Sequence, residues 1–234
     1  MFFSAAVLGL ATAAVAAPAN IVPNYPPHQE SQGFRLVVNV TDKALDLKPS
    51  VQGLYVNSIH VGAGLNVAGV GAKDVSNVFY QNGTASEFRF SSATTITDEA
   101  TPLTPFGLSL SKNTDSETLS SAYINGGAGT PGVQISQFPE GFLFLEPETF
   151  VICNNPLQYY QGQKFLVVEQ AATTISSDGQ VERNLPEGCA PVRLLPECAP
   201  LEPLPAGSYA SHEFALQSEC YADVASINWS LYGP

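Results

Sequence analysis

The sequence predicts an all-β protein: a single antiparallel β-barrel or sandwich, with a β-trefoil-like arrangement as an alternative. Two observations predict this class. Short runs of β-branched and aromatic residues recur about every ten residues, with turn residues between them. Helix-period patterns are scarce, so at most one short helix is expected. A proline-rich C-terminal segment that carries cysteines is expected to form a strap tied to the β-domain by disulfides.

The strongest strand signal is a set of three apolar runs in the second half of the chain. They are Phe142–Leu145, Phe150–Cys153 and Phe165–Val168. Turn-forming residues separate them, which is typical of buried antiparallel strands. Further strands are predicted at Phe34–Val40, Leu54–Val61, Leu65–Val70, Phe106–Leu110 and Leu119–Ile124.

A turn signal predicts the structure of one segment, and polarity predicts that of the next. Asn82-Gly83 suits a type I′ turn, so a hairpin is expected between Val78–Gln81 and Glu87–Phe90. The polar segment Ser91–Thr104 is predicted to be a loop.

The C-terminal region is richer in proline. The segment Pro186–Pro205 contains six prolines, which lack the donor that a sheet interior needs. Only one short edge strand is expected there, at Val192–Leu195. Apolar spacing in Ser211–Ile227 favours one short helix with Ser211 as its N-cap.

Three regions follow along the chain. Residues 1–16 are apolar and end in Ala14-Val15-Ala16, which predicts a signal peptide. Residues 17–32 carry four prolines and predict an extended or disordered lead-in. Residues 33–234 are predicted to form one β-rich domain. No other run is long and apolar enough for a membrane anchor, and no lipid-anchor tail is expected.

Charge limits the classes of partner. The chain has a net charge of −12, with nine basic and 21 acidic residues. Nucleic acid and anionic membranes are bound through Lys and Arg, so neither is an expected partner. An acidic surface favours a soluble monomer.

Four cysteines indicate an oxidising compartment and two disulfides. They are Cys153, Cys189, Cys198 and Cys220. Three pairings exist, and we favour Cys153–Cys189 with Cys198–Cys220, because a Cys189–Cys198 bridge would close a short loop stiffened by prolines. Three N-x-S/T sequons are candidate glycosylation sites, with Asn82 favoured by its turn over Asn39 and Asn228.

No constellation of catalytic, metal or cofactor residues stands out. Glu146 and Glu148 have the spacing of paired carboxylates, but Pro147 between them predicts a turn. His60, at the end of a strand near Asn66, is expected to be a partly buried, hydrogen-bonded structural residue. Exposed Tyr159 and Tyr160 are candidates for stacking on sugar rings. We therefore predict no catalytic residue, metal or cofactor, and regard His60, Asn66, Tyr159 and Tyr160 as surface or pocket candidates.

Several segments resemble a large set of secreted proteins from filamentous ascomycete fungi with no assigned activity. These segments are Gly33–Asp42, Ser58–Asn66, Phe150–Asn154, Ser211–Phe214, Cys220-Tyr221 and Trp229–Pro234. More distantly, the order of Ile59-His60, Gly64-Leu65-Asn66, a hairpin with Phe and Tyr, and Ile152-Cys153 is similar to that in fungal cell-wall proteins of the PhiA type. The resemblance implies an extracellular or cell-wall location and brings no catalytic residue.

The expected function is that of a secreted, non-catalytic protein, extracellular or associated with the cell wall, whose partner is wall polysaccharide or a protein surface. The alternative is a secreted hydrolase acting on carbohydrate, with Glu146, Glu148 or His60 in its site.

Overall fold

A computed structural model describes residues 24–113, 116, 118–137, 139–179 and 181–232. The predicted signal peptide at 1–16 and the first part of the lead-in lie outside the described residues. Strands are the main regular structure of the described part, which confirms the predicted class. Its strands are β1 Gln29–Ser31, β2 Gly33–Val40, β3 Tyr55–Gly62, β4 Leu65–Gly71, β5 Phe79–Asn82, β6 Thr94–Glu99, β7 Thr104–Lys112, β8 Leu119–Gly126, β9 Phe150–Leu157, β10 Gln163–Ala171, β11 Thr173–Ile175, β12 Val181–Arg183, β13 Cys189–Ala199 and β14 Ser218–Cys220.

The helical elements of the described residues are short. One α-helix, α1, spans Ala85–Arg89. Single 3₁₀ turns are Lys43–Leu45, Lys73–Val75, Gln158–Tyr160, Val224–Ser226 and Trp229–Leu231. No helix of the described part has the length and apolar character needed to cross a bilayer.

Ten strands form one antiparallel sheet in the order β10-β9-β13-β2-β3-β4-β8-β7-β6-β5. Both ends of this sheet fold back onto its middle. At one end β10 also pairs with β4 and β8, and at the other β5 pairs with β2. The sheet is thereby closed, which leaves few unpaired edges for association with other chains.

The main core lies between the faces of this sheet. Phe34, Leu36 and Val38 of β2 are completely buried, and Phe150 and Ile152 of β9 pack into the same cluster. Burying each of these side chains contributes about 1.5–3 kcal/mol to folding. A smaller cluster on the other face of β9 and β10 contains Val151, Cys153, Ala171 and Cys189.

Two disulfides fix β13 at both ends. Cys153 of β9 is bonded to Cys189 at the start of β13, and Cys198 near its end is bonded to Cys220 of β14. These are the two pairings that the sequence favours.

The proline-rich segment differs from the prediction of a short edge strand. β13 has eleven residues, lies between β9 and β2 in the sheet, and is mostly buried. Both of its prolines lack an N–H donor and still supply carbonyl acceptors. The carbonyl of Pro191 accepts from Thr41 N at 3.0 Å, and that of Pro196 accepts from Tyr221 N at 2.9 Å.

The predicted Asn82-Gly83 hairpin is wrong. β5 ends at Asn82, and Thr84 then caps α1 through a capping box: its side chain accepts from Glu87 N, while the Glu87 side chain accepts from Thr84 N. The T-x-x-E pattern of that box starts a helix where the Asn-Gly pair predicts a hairpin turn. β5 pairs instead with β6, which lies within the segment predicted to be a loop.

The C-terminal prediction of a helix over Ser211–Ile227 is also wrong. That segment holds β14, which pairs with β1 in the register Gln29↔Cys220. This pairing needs extended backbone. The same pairing shows that residues 29–31, at the end of the predicted lead-in, form a strand. The polar segment 146–148 is a bend that leads into β9.

Candidate functional site

Aromatic side chains meet at one end of the molecule. His60 lies in β3, two residues before its end, and its ring packs edge-on against Tyr159, with ring centroids 5.5 Å apart. Tyr159 contacts Tyr160 at 5.2 Å, and Tyr160 contacts Phe165 at 4.8 Å. We call these four residues the aromatic ridge. Tyr159 is 56% exposed and His60 is also exposed, so the ridge presents ring surface to solvent. The prediction that His60 is partly buried is therefore wrong.

The local sequence explains why the ridge projects. Residues 158–162 connect β9 to β10, which pair in the register Gln163↔Leu157. A 3₁₀ turn ends at Gln161, whose φ is 56°, and Gly162 follows with φ 83°. Glycine adopts such a left-handed conformation without steric cost. The tight turn therefore lifts Tyr159 away from the sheet, where it meets His60.

Asn66, the fourth surface or pocket candidate, is not part of the ridge. It is buried, and its Nδ2 donates to Glu99 Oε2 at 2.7 Å. Glu99 also accepts hydrogen bonds from Ser58 and from Asn77 Nδ2. Glu99 of β6 thus links Ser58 of β3 and Asn66 of β4.

A cleft of about 520 Å³ begins beside the ridge. Leu157 and Gln158, which directly precede Tyr159, are part of its lining. Its other polar lining includes Ser111, Lys112, Ser121, Tyr123, Asn155 and Glu169. The cleft therefore lies between the β9–β10 hairpin and the ends of β7 and β8.

Glu169 is the unusual residue of the cleft. Its side chain shares a face of β10 with Val167 and Ala171, and the residue is only 4% exposed. Asn155 Nδ2 donates to Glu169 Oε1 at 3.1 Å, whereas Oε2 is buried with no hydrogen-bond partner among the described residues. Burial raises the pKa of Glu169, and the bond from Asn155 opposes that shift only in part.

The sequence prediction missed Glu169. Successive residues of a strand point to opposite faces, so residues 167, 169 and 171 share one face. The signal in the sequence was therefore a single glutamate between two apolar residues of the buried face. A carboxyl at such a position needs a special partner or a special role.

The candidate residues of the hydrolase alternative lie in different surroundings. Arg193 Nε donates to Glu148 Oε1 at 2.6 Å, in a groove that Trp229 and Asn39 also line. Burial raises the pKa of Glu146, with a smaller contribution from the charge of Glu140. His60 lies on the ridge.

The remaining polar clusters tie segments together. Asp98 accepts from Tyr80 OH at 3.1 Å and pairs with His212 Nε2 at 2.6 Å, which fixes the C-terminal segment to β5 and β6. Across the described residues, no group of three or more His, Cys, Asp or Glu side chains has the arrangement of a metal site.

The three sequons differ in exposure. Asn39 in β2 and Asn82 at the end of β5 are half-buried, while Asn228 is exposed. Asn228 Oδ1 accepts a hydrogen bond from Ser230 Oγ at 2.7 Å. Glycosylation of each asparagine stays a prediction.

Comparison with known proteins gives the family. A family model described as a domain of unknown function, DUF7907, matches residues 31–198. The chain belongs to this family. It is also similar to the antigenic protein SchS34 of the fungus Stachybotrys chartarum, with 54% identity over 214 residues, which are 92% of this chain and 96% of that protein. No solved structure matches the chain.

The DUF7907 match ends at Cys198 and so covers all of the ridge and the cleft. The similarity to a fungal protein agrees with the fungal resemblance seen in the sequence. The two disulfides are typical of an extracellular protein.

Proposed function

We propose that this protein is a secreted, non-catalytic fungal protein that binds cell-wall polysaccharide through the aromatic ridge. One observation carries the proposal: His60, Tyr159, Tyr160 and Phe165 form a continuous chain of ring contacts at the surface. The C–H groups of a pyranose ring pack on aromatic faces, and tyrosine combines an apolar ring with a polar tip. Contiguous exposed apolar surface marks interaction sites on soluble proteins.

Other features support an extracellular role. The disulfides suit an oxidising compartment, and the distant resemblance to PhiA-type cell-wall proteins suggests the wall. The net charge of −12 would keep the protein soluble and monomeric when it is not bound.

The first test is sedimentation of the purified protein with insoluble chitin, β-glucan or isolated fungal walls. We expect the wild type to sediment with at least one of them. We expect Tyr159→Ala to bind about tenfold more weakly, because loss of one stacked ring costs on the order of 1 kcal/mol.

Tyr209→Ala is the matched control. Tyr209 is 74% exposed and has no ring partner among the described residues, so its loss should leave binding unchanged. Equal binding by both variants, or no binding of the wild type to any wall material, would overturn the proposal.

Two further outcomes separate the alternatives. Binding to walls that is lost after protease treatment of the walls would assign the ridge to a wall protein instead of a polysaccharide. Release of reducing sugars during incubation would favour the hydrolase alternative.

A further inference from the structure

The cleft continues the surface of the ridge. Because Gln158 lines the cleft and Tyr159 lies on the ridge, a chain-like ligand stacked on the rings would reach the cleft with its next unit. The volume of about 520 Å³ falls within the range of small-molecule sites.

The lining of the cleft suits a neutral, hydroxyl-bearing ligand. Hydroxyl and amide groups predominate, from Ser111, Ser121, Tyr123, Asn155 and Gln158. Among the described lining residues, Lys112 is the single cation and is exposed, and Glu169 is the single acid and is buried. Groups that both donate and accept match sugar hydroxyls, whereas an anionic sugar would meet the carboxyl group of Glu169.

Glu169 itself points to a ligand. A buried polar atom without a partner costs about 1–3 kcal/mol, and native proteins retain few of them. One carboxyl oxygen of Glu169 has only Asn155 as donor, and the other has none within the described part of the chain. A ligand hydroxyl in the cleft would supply a donor to this carboxyl group once the side chain turns Oε2 towards the cleft.

We propose that the cleft binds one unit of a neutral oligosaccharide whose neighbouring unit stacks on the ridge, with a sugar hydroxyl donating a hydrogen bond to the Glu169 carboxyl group. This inference rests on the proposed function and names its ligand class. Glu169 is then the residue that selects hydroxylated, uncharged sugars, while the ridge supplies contact area without selecting among them.

The test is calorimetric titration with soluble hexasaccharides. Hexamers of β-1,3-glucose and of N-acetylglucosamine are the neutral probes, and a galacturonic acid hexamer is the anionic probe. We expect the wild type to bind at least one neutral probe and not the anionic one. Glu169→Gln keeps the shape of the side chain, and we expect about tenfold weaker binding of the neutral probe.

Glu30→Gln is the control, because Glu30 is exposed in β1 and its substitution changes the net charge equally. Thermal unfolding of the same proteins separates binding from folding. A ligand-binding Glu169 predicts that Glu169→Gln is at least as stable as the wild type and yet binds more weakly. A merely structural Glu169 predicts lower stability for this variant.

The outcomes distinguish this inference from the proposed function. Equal affinity of Glu169→Gln and Glu30→Gln overturns the inference, as does preferred binding of the anionic probe. In both cases, sedimentation with polymer that depends on Tyr159 would leave the ridge proposal standing. Failure of the wild type to bind any polymer or neutral hexamer overturns both.

Discussion

Glu169 places an ionisable carboxyl on a strand face that it shares with Val167 and Ala171. Burial raises its pKa, so the folded protein holds this proton more tightly than the unfolded chain does. Its contribution to the free energy of unfolding is therefore greatest at low pH, where both states are protonated. That contribution falls as pH rises through the raised folded pKa.

Because the contribution of Glu169 to stability falls with rising pH, its replacement should stabilise the protein at neutral pH. At pH 7, Glu169→Gln should raise the free energy of unfolding by about 1 kcal/mol, because it removes the cost of burying an ionisable carboxyl group that has an unpaired oxygen. Near pH 4 the difference should disappear, since Glu169 is then protonated in the wild type as well. Denaturant unfolding at the two pH values measures it, and a loss of stability at pH 7 would contradict it.

Some properties of the candidate-site residues could be predicted from the sequence, and others could not. The sequence predicts Tyr159 and Tyr160 as exposed aromatics that could stack on sugar rings. Their contact with His60 was not predictable, because it depends on how the β9–β10 hairpin packs beside the end of β3. Asn66 was a surface or pocket candidate by its proximity in sequence to His60, yet its side chain points to Glu99.

At the scale of elements, the local sequence determines some structures, such as the start of α1, whereas contacts with distant segments determine others, such as the position of β13. The capping box at Thr84 was present in the sequence and outweighs the Asn-Gly turn signal. The central position of β13 could not be predicted from its own residues. Proline is usually excluded from sheet interiors because it has no N–H donor, yet the prolines of β13 take part in backbone hydrogen bonds through their carbonyls.

The capping box predicts the effect of a single substitution. Thr84→Ala should lower the free energy of unfolding by about 1 kcal/mol, whereas Thr84→Ser keeps the hydroxyl acceptor and should change it little. Both variants should be compared in unglycosylated protein, because Thr84→Ala also removes the Asn82 sequon. Equal stability of the two variants would show that the cap does not stabilise α1.

At the scale of the whole molecule, the closed sheet and the disulfides act together. The Cys153–Cys189 bridge joins directly opposed residues of β9 and β13 and spans 36 residues of sequence. The sequence predicted the class and favoured this pairing. It could not show how the sheet closes, because β10 and β5 fold back onto strands that lie far away in the chain.

The disulfide also gives a whole-molecule prediction. Replacing both Cys153 and Cys189 with alanine should lower the free energy of unfolding by about 3–4 kcal/mol, as expected for a loop of this length. Chemical unfolding of the wild type and the double variant measures the change. A difference below 1 kcal/mol would mean that strand pairing alone restrains β13.

The ridge and the cleft lie on this rigid scaffold, so their occupation can be located directly. Hydrogen–deuterium exchange with and without a saturating neutral hexasaccharide tests the central claim. We predict slower exchange in residues 157–169 and around His60, and unchanged exchange around Trp229. Protection confined to other surfaces, such as the groove at Trp229, would contradict a polysaccharide site at the aromatic ridge.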